Sequence, residues 1–189
     1  MLTTSAVVKA DDLDVSYSLE AKKDFAGAAA AMQRAYKAKG GYFYALRAGY
    51  LFGLAGDWRT SGAEYLEAAA LERGAIEPLL GAQLAFATGA EWPKAVEIGK
   101  RAVALDATNY LARSRLAWAA YQAKDFAASA DAYRAVLKLY PGDVDMRVGL
   151  GWALLGAGKK TEAALVFREV LGMVPKHASA TSGLAAAGG

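Results

Sequence analysis

Four large aromatics, Phe25, Trp58, Trp92 and Phe126, stand 33, 34 and 34 residues apart. An acid precedes each of them: Asp24, Asp57, Glu91 and Asp125. Three residues beyond each lies a small side chain: Ala28, Ser61, Ala95 and Ser129. A spacing held this constant means that one supersecondary unit has been copied along the chain. A unit of this size cannot bury its apolar face alone, so each copy must stack on its neighbours and the chain must fold as an array.

The content of one unit is legible between Tyr110 and Asp143. Leu111, Leu116, Ala117, Ala120 and Tyr121 recur at helical intervals as far as Lys124. Asp125 then opens a second amphipathic run, with Phe126, Ser129, Ala130, Tyr133, Val136 and Leu137 at three- and four-residue steps. Pro141-Gly142 closes it with a turn signal. The unit is helix, tight turn, helix, loop. From Val144 to His177 the pattern returns, with Gly151 in place of Ala117, Leu154 of Ala120, Ala163 of Ser129, Phe167 of Tyr133 and Pro175 of Pro141. The frame divides the chain into a tail at 1–7, five units at about 8–41, 42–75, 76–109, 110–143 and 144–177, and a last segment, 178–189. The first unit is one residue short. The last segment reads either as a short capping helix or as a frayed tail. Turns between the paired helices are expected near Lys23, Gly56, Ala90, Lys124 and Gly158.

These positions resemble the tetratricopeptide repeat. The matches are a small eighth residue (Gly49, Ala117, Gly151), a large aromatic seventeenth, a small twentieth and a large twenty-fourth (Met32, Tyr65, Tyr133, Phe167). Ala or Val stands at the twenty-seventh (Ala35, Ala68, Ala102, Val136, Val170), and Pro141 and Pro175 fall at the thirty-second. The resemblance implies an all-α fold, a right-handed superhelical solenoid of antiparallel helix hairpins whose concave wall is made mainly of first helices. There are departures. Arg113 and Arg147 occupy the fourth position, where the family has an aromatic. Ser16 and Gln83 replace the small eighth residue, Gly99 the twenty-fourth of the third unit, and Lys160 the aromatic of the fifth.

Composition removes several functions. The net charge is +3 and the basic residues are scattered, so no nucleic-acid partner is expected. There is no cysteine, hence no disulfide, thiolate nucleophile or Cys-ligated zinc. No apolar run reaches the length of a membrane span, so direct membrane insertion is not expected. Residues 1–10 are too short for a complete signal peptide. A cytoplasmic location is expected, or a periplasmic one where a signal or anchor precedes this sequence. Gly158-Lys159 is followed by Lys160 where a phosphate-binding loop needs Ser or Thr, and Ala153 stands where its first glycine should be. Gly149-Leu150-Gly151 lacks the third glycine of a dinucleotide fingerprint, since Leu154 stands there. His177 is the one histidine and reads as a solvated loop residue. Asp11, Asp12 and Asp14 read as the acidic first turn of a helix. The expectation is a protein without catalytic residues, cofactor or metal.

The ninth position is where function enters. In the family it faces the groove and is commonly polar. Here it holds Tyr17, Tyr50, Leu84, Trp118 and Trp152. Neighbouring groove positions add Phe43, Leu46, Leu80, Leu111, Tyr121, Val148 and Leu155, bordered by Arg47 and Arg115 at the sixth position. Two readings stand. The aromatics either pack between adjacent first helices, or line an apolar groove for a helix or extended segment of a partner, with the arginines favouring acidic residues on it. The family's clamp for chaperone C-terminal carboxylates uses Lys and Asn at positions that hold Leu13, Tyr17, Leu46 and Tyr50 here, so that partner class is not expected. The expected function is protein or peptide binding. The competing one is a self-associating or spacer subunit of a bacterial envelope, pilus or secretion assembly, which leaves a homodimer open.

Overall fold

The computed structural model describes residues 11–189. The tail expected at 1–7 lies outside the described residues. The elements are α1 (Asp12–Ala21), α2 (Phe25–Lys39), α3 (Tyr42–Leu54), α4 (Trp58–Leu71), α5 (Glu77–Thr88), α6 (Trp92–Leu105), α7 (Tyr110–Gln122), α8 (Phe126–Leu139), α9 (Val144–Gly156), α10 (Lys160–Met173) and α11 (Ala178–Ala186). No strand occurs among the described residues. Two compact units divide the chain, one ending at Ala85 and the other starting at Phe86, within α5.

The constant period is set by one turn, used five times. Three residues separate α1 from α2, α3 from α4, α5 from α6, α7 from α8, and α9 from α10. The middle residue of each is in the left-handed region: Lys23, Gly56, Ala90, Lys124 and Gly158, the positions expected from the sequence. The third residue of each returns its backbone N–H to a carbonyl in the last turn of the helix just finished. Examples are Asp24 to Leu19 at 2.9 Å and Asp125 to Ala120 at 3.0 Å. This six-to-one bond satisfies a carbonyl that a helix end leaves open. Where the third residue is Asp it also starts the next helix. The side chains of Asp24, Asp57 and Asp125 accept from the backbone N–H of Gly27, Thr60 and Ala128. Three of the four acids before the aromatics are therefore helix caps, and Glu91 holds the same place without a side-chain cap bond.

Left-handed geometry suits glycine and disfavours a side chain by about 1–2 kcal/mol. Ala90 carries that penalty at φ 57°. Ala90→Gly is expected to raise the unfolding free energy by about 0.5–1 kcal/mol, since the relief outweighs the extra freedom glycine gives the unfolded chain. A chemical denaturation midpoint that falls instead would show that the turn is not strained.

Within the N-terminal unit the core runs along α2 and α3, from Ala28, Ala29, Met32 and Ala35 to Ala48 and Leu51, with Leu13, Leu19, Phe25, Tyr44 and Phe52 packed against it. The C-terminal unit has a core of Ala117, Ala130, Tyr133, Val148, Leu150, Ala153, Leu154, Ala163, Phe167, Val170 and Ala180. Ala28, Ala95 and Ala163 have no exposed surface. Their serine counterparts are buried as well, and each stitches a helix pair: Ser61 Oγ donates to the Gly49 carbonyl at 2.7 Å, and Ser129 Oγ to that of Ala117 at 2.8 Å.

Large rings lie against glycines. A Cβ on Gly49 would stand 2.9 Å from the Tyr65 ring, and one on Gly81 would stand 2.7 Å from it. The Tyr133 ring lies likewise against Gly149, and the Phe167 ring against both Gly151 and Gly183. Large rings at the twenty-fourth position thus need a small residue on the helix before and another on the helix after.

Two departures from the family pattern have a structural reason. Arg113 donates from Nε to the Ala107 carbonyl, and Arg147 from Nη2 to the Pro141 carbonyl, so each binds the loop that precedes its own helix. His177, expected to be solvated in a loop, is instead the cap of α11, with Nδ1 accepting from Ala180 N–H at 3.2 Å. The helix it starts buries Ala180 and Gly183 against α9 and α10. Asp11 caps α1, and Asp11 and Asp12 pair with Lys39 and Arg34 at 2.7 and 2.8 Å.

Candidate protein-binding wall

In the N-terminal unit the candidate residues stand on α1, α3 and α5. Tyr17 is 48% exposed, Tyr50 48% and Leu84 47%. Phe43 is also exposed, while Leu46 and Leu80 are half-buried. Tyr50 and Leu84 meet at a shallow cleft of about 200 Å³ with Trp58, Tyr65 and Gly81. Arg47 does not border open space. Its guanidinium lies 4.1 Å over the Tyr17 ring and pairs with Glu20. The charge expected to attract acidic residues is therefore already engaged by a carboxylate of this chain.

In the C-terminal unit the candidates stand on α7 and α9. Trp118 is 42% exposed, Leu111 is exposed, and Tyr121, Trp152 and Leu155 are half-buried. Val148 is a correction: it is buried and belongs to the core cluster that holds Tyr133, Leu154 and Phe167, not to the open face. Arg115 is half-buried, and burial lowers its pKa. Trp118, Tyr121 and Trp152 come together around a cleft of about 340 Å³, completed by Gln122, Tyr133 and Gly149. Leu111, Arg115, Val148 and Leu155 are not among its lining residues.

The rings of this cleft are held from behind. Trp118 meets Trp92 edge to face at 5.0 Å, Tyr121 meets Phe126 at 5.4 Å and Trp152 meets Phe167 at 5.5 Å. Trp152 also donates from Nε1 to Ser179 Oγ at 2.9 Å. Burial pushes the Tyr133 hydroxyl up to about 12, so it stays protonated across the physiological range. No charged side chain lines either cleft. Among the described residues no cluster of three or more acids or histidines is placed to hold a metal ion, and no helix is long and apolar enough to cross a membrane.

Sequence reasoning missed Gly81 and Gly149 as site residues, together with Tyr65, Tyr133 and Gln122. The signal was present in the sixth position, where Arg47, Gly81, Arg115, Gly149 and Gly183 follow one another at intervals of 34. A glycine there leaves a gap on the wall, and the ring at the twenty-fourth position forms its floor.

A family model described as tetratricopeptide repeat matches residues 114–178. The crystal structure of MamA is similar over 88% of this chain and 92% of that one, with a TM-score of 0.74 at 22% identity. YrrB, described as a tetratricopeptide-repeat protein with an unusual peptide-binding site, is similar over 90% of this chain and 89% of that one, with a TM-score of 0.74 at 14% identity. Residues 114–178 are tetratricopeptide repeat, and the chain as a whole has the fold of tetratricopeptide-repeat proteins. A tetratricopeptide-repeat protein from Parabacteroides merdae is similar over 93% of this chain and 70% of that one, with a TM-score of 0.73 at 16% identity. No curated protein matches the chain in sequence. The repeat assignment explains the wall. Gly49 and Gly151, at the eighth position, meet a ring of their own second helix, Gly81 and Gly149, at the sixth, meet a ring of the preceding repeat, and Tyr50, Leu84 and Trp118, at the ninth, stand exposed.

Proposed function

We propose that this tetratricopeptide-repeat chain is a non-catalytic module that binds a helix or extended segment of another protein along the outward side chains of its first helices. One observation carries the reading. Tyr17, Tyr50, Leu84 and Trp118, each one repeat from the next, leave more than two-fifths of their surface in solvent. Isolated exposed apolar residues need no explanation, but three aromatics and a leucine exposed at the same repeat position, with open clefts beside Tyr50, Leu84 and Trp118, are the mark of an interaction surface. Tyr and Trp suit that role because they bring large area, few rotors and a polar tip. The peptide-binding site in the description of YrrB agrees with this use of the fold.

The test is capture from an extract of the source cell, with the full chain as bait and Tyr50→Ala/Trp118→Ala as its control. Both side chains are exposed, so the variant should fold. A protein enriched by the natural chain and lost by the variant is the expected result. Equal recovery on both baits would place the contact elsewhere.

Self-association is the second reading, favoured by a second set of exposed apolar residues. Leu71, Leu105, Leu139 and Met173 end four successive second helices and all stand open to solvent. Sedimentation at increasing concentration distinguishes it: a dimer that survives Tyr50→Ala/Trp118→Ala would use these residues.

A further inference from the structure

The repeat itself displays one occupant for the gap beside its sixth position. Where that position is Arg47, the guanidinium lies 4.1 Å over the ring of Tyr17, and its side chain is only 16% exposed. Where it is Gly149, no side chain enters, and the cleft of about 340 Å³ remains, with Trp118 as the ninth-position ring. The residue before each gap has changed to match. Met32 precedes Arg47, whereas the Tyr133 ring lies against Gly149.

The lining of the open cleft is electrostatically suited to a cation. Ring faces carry negative potential, and tryptophan is the strongest cation acceptor among the aromatics. Gln122 and the hydroxyls of Tyr121 and Tyr133 add hydrogen-bond acceptors. No lysine or arginine lines the cleft. Tyr133 is only 5% exposed, yet it borders the cleft and its hydroxyl makes no hydrogen bond within the described chain. A purely apolar anchor would cover that hydroxyl and leave it unpaired, at a cost. A guanidinium brings five donors in one plane and is more weakly hydrated than an ammonium.

We infer that the cleft beside Gly149 binds an arginine side chain of the partner segment, its guanidinium stacked on Trp118 as that of Arg47 is stacked on Tyr17. This rests on the reading of the wall as a protein-binding surface, and it fixes the chemistry of one anchor. It also reverses the expectation of an acidic partner that Arg47 and Arg115 suggested.

The test uses the full ¹⁵N-labelled chain and follows the indole N–H signals of Trp118 and Trp152. The probes are Nα-acetyl-arginine methylamide and its neutral analogue, Nα-acetyl-norleucine methylamide. The arginine probe should shift both signals, and the norleucine probe should bind at least about fivefold more weakly, the discrimination a partly desolvated cation–ring contact supplies. Trp118→Leu should abolish the response at Trp152. A second variant, Tyr133→Met/Gly149→Arg, recreates the Met32 and Arg47 pairing, fills the gap from within and should also fail to respond. Equal or tighter binding of the norleucine probe overturns the guanidinium assignment and leaves the wall as an apolar surface. Absence of any shift with about 20 mM arginine probe also overturns it, and so does a full response in a folded, filled variant. The wall itself stands or falls on the capture experiment, which these probes do not enter.

Discussion

Phe167→Ala is expected to remove about 3–5 kcal/mol of unfolding free energy, the range for deleting a buried aromatic. Phe167 has no exposed surface. Its ring fills a slot bounded by the backbones of Gly151 on α9 and Gly183 on α11, and its edge supports Trp152 at 5.5 Å. The cost should lie toward the upper end of the range, because the glycines have no side chains with which to close the void. The damage should also be local. Repeats are stabilised by their nearest neighbours, so α9, α10 and α11 should lose amide protection while α2 and α3 keep theirs. Hydrogen exchange on the variant measures this, alongside chemical denaturation. Uniform loss of protection along the chain would show that the array unfolds as one block, and an unchanged midpoint would refute the packing role of the ring.

The same residue shows what was legible in the sequence. Phe167, Tyr133 and Tyr65 were recognisable because they recur in phase with small eighth residues, and period is the strongest signal a repeat carries. The five turns were legible for the same reason, although only two of them use glycine; Lys23, Ala90 and Lys124 take the left-handed conformation because a fixed three-residue connection demands it. What escaped the reading depended on contacts between repeats. Gly149 looked like a fragment of a nucleotide motif, since nothing within its own helix shows that the Tyr133 ring arrives from the helix before. Val148 stands on the wall by position, yet its side chain lies in the core cluster with Tyr133 and Phe167, a contact between helices that the repeat pattern does not display. His177 looked solvated because a histidine cap carries no sequence signature as clear as that of aspartate. Arg47 looked like a free charge because its partner Glu20 lies on another helix, 27 residues earlier.

By repeat position Trp118 and Trp152 are equivalent, but their surroundings predict different behaviour. Trp118 has 42% of its surface exposed, and its contact with Trp92 is made edge to face. Trp152 is half-buried, donates to Ser179 on α11 and braces Phe167. Trp118→Ala should therefore cost less than about 1 kcal/mol in stability, as surface truncations do, and about 2 kcal/mol or more in affinity for the captured partner, as central aromatic anchors do. Trp152→Ala should cost about 2 kcal/mol or more in stability, because it deletes a partly buried ring and the hydrogen bond that holds α11. The measurement is a pair of numbers for each variant, unfolding free energy and partner affinity. Trp152→Phe separates the two effects at the second site: it keeps an aromatic ring beside Phe167 and removes the donor to Ser179. If Trp118→Ala proves as destabilising as Trp152→Ala, its ring is core and the wall loses its central anchor. If Trp118→Ala leaves affinity unchanged while Trp152→Ala reduces it, binding acts through the docking of α11, and the site lies at the C-terminal end of the array.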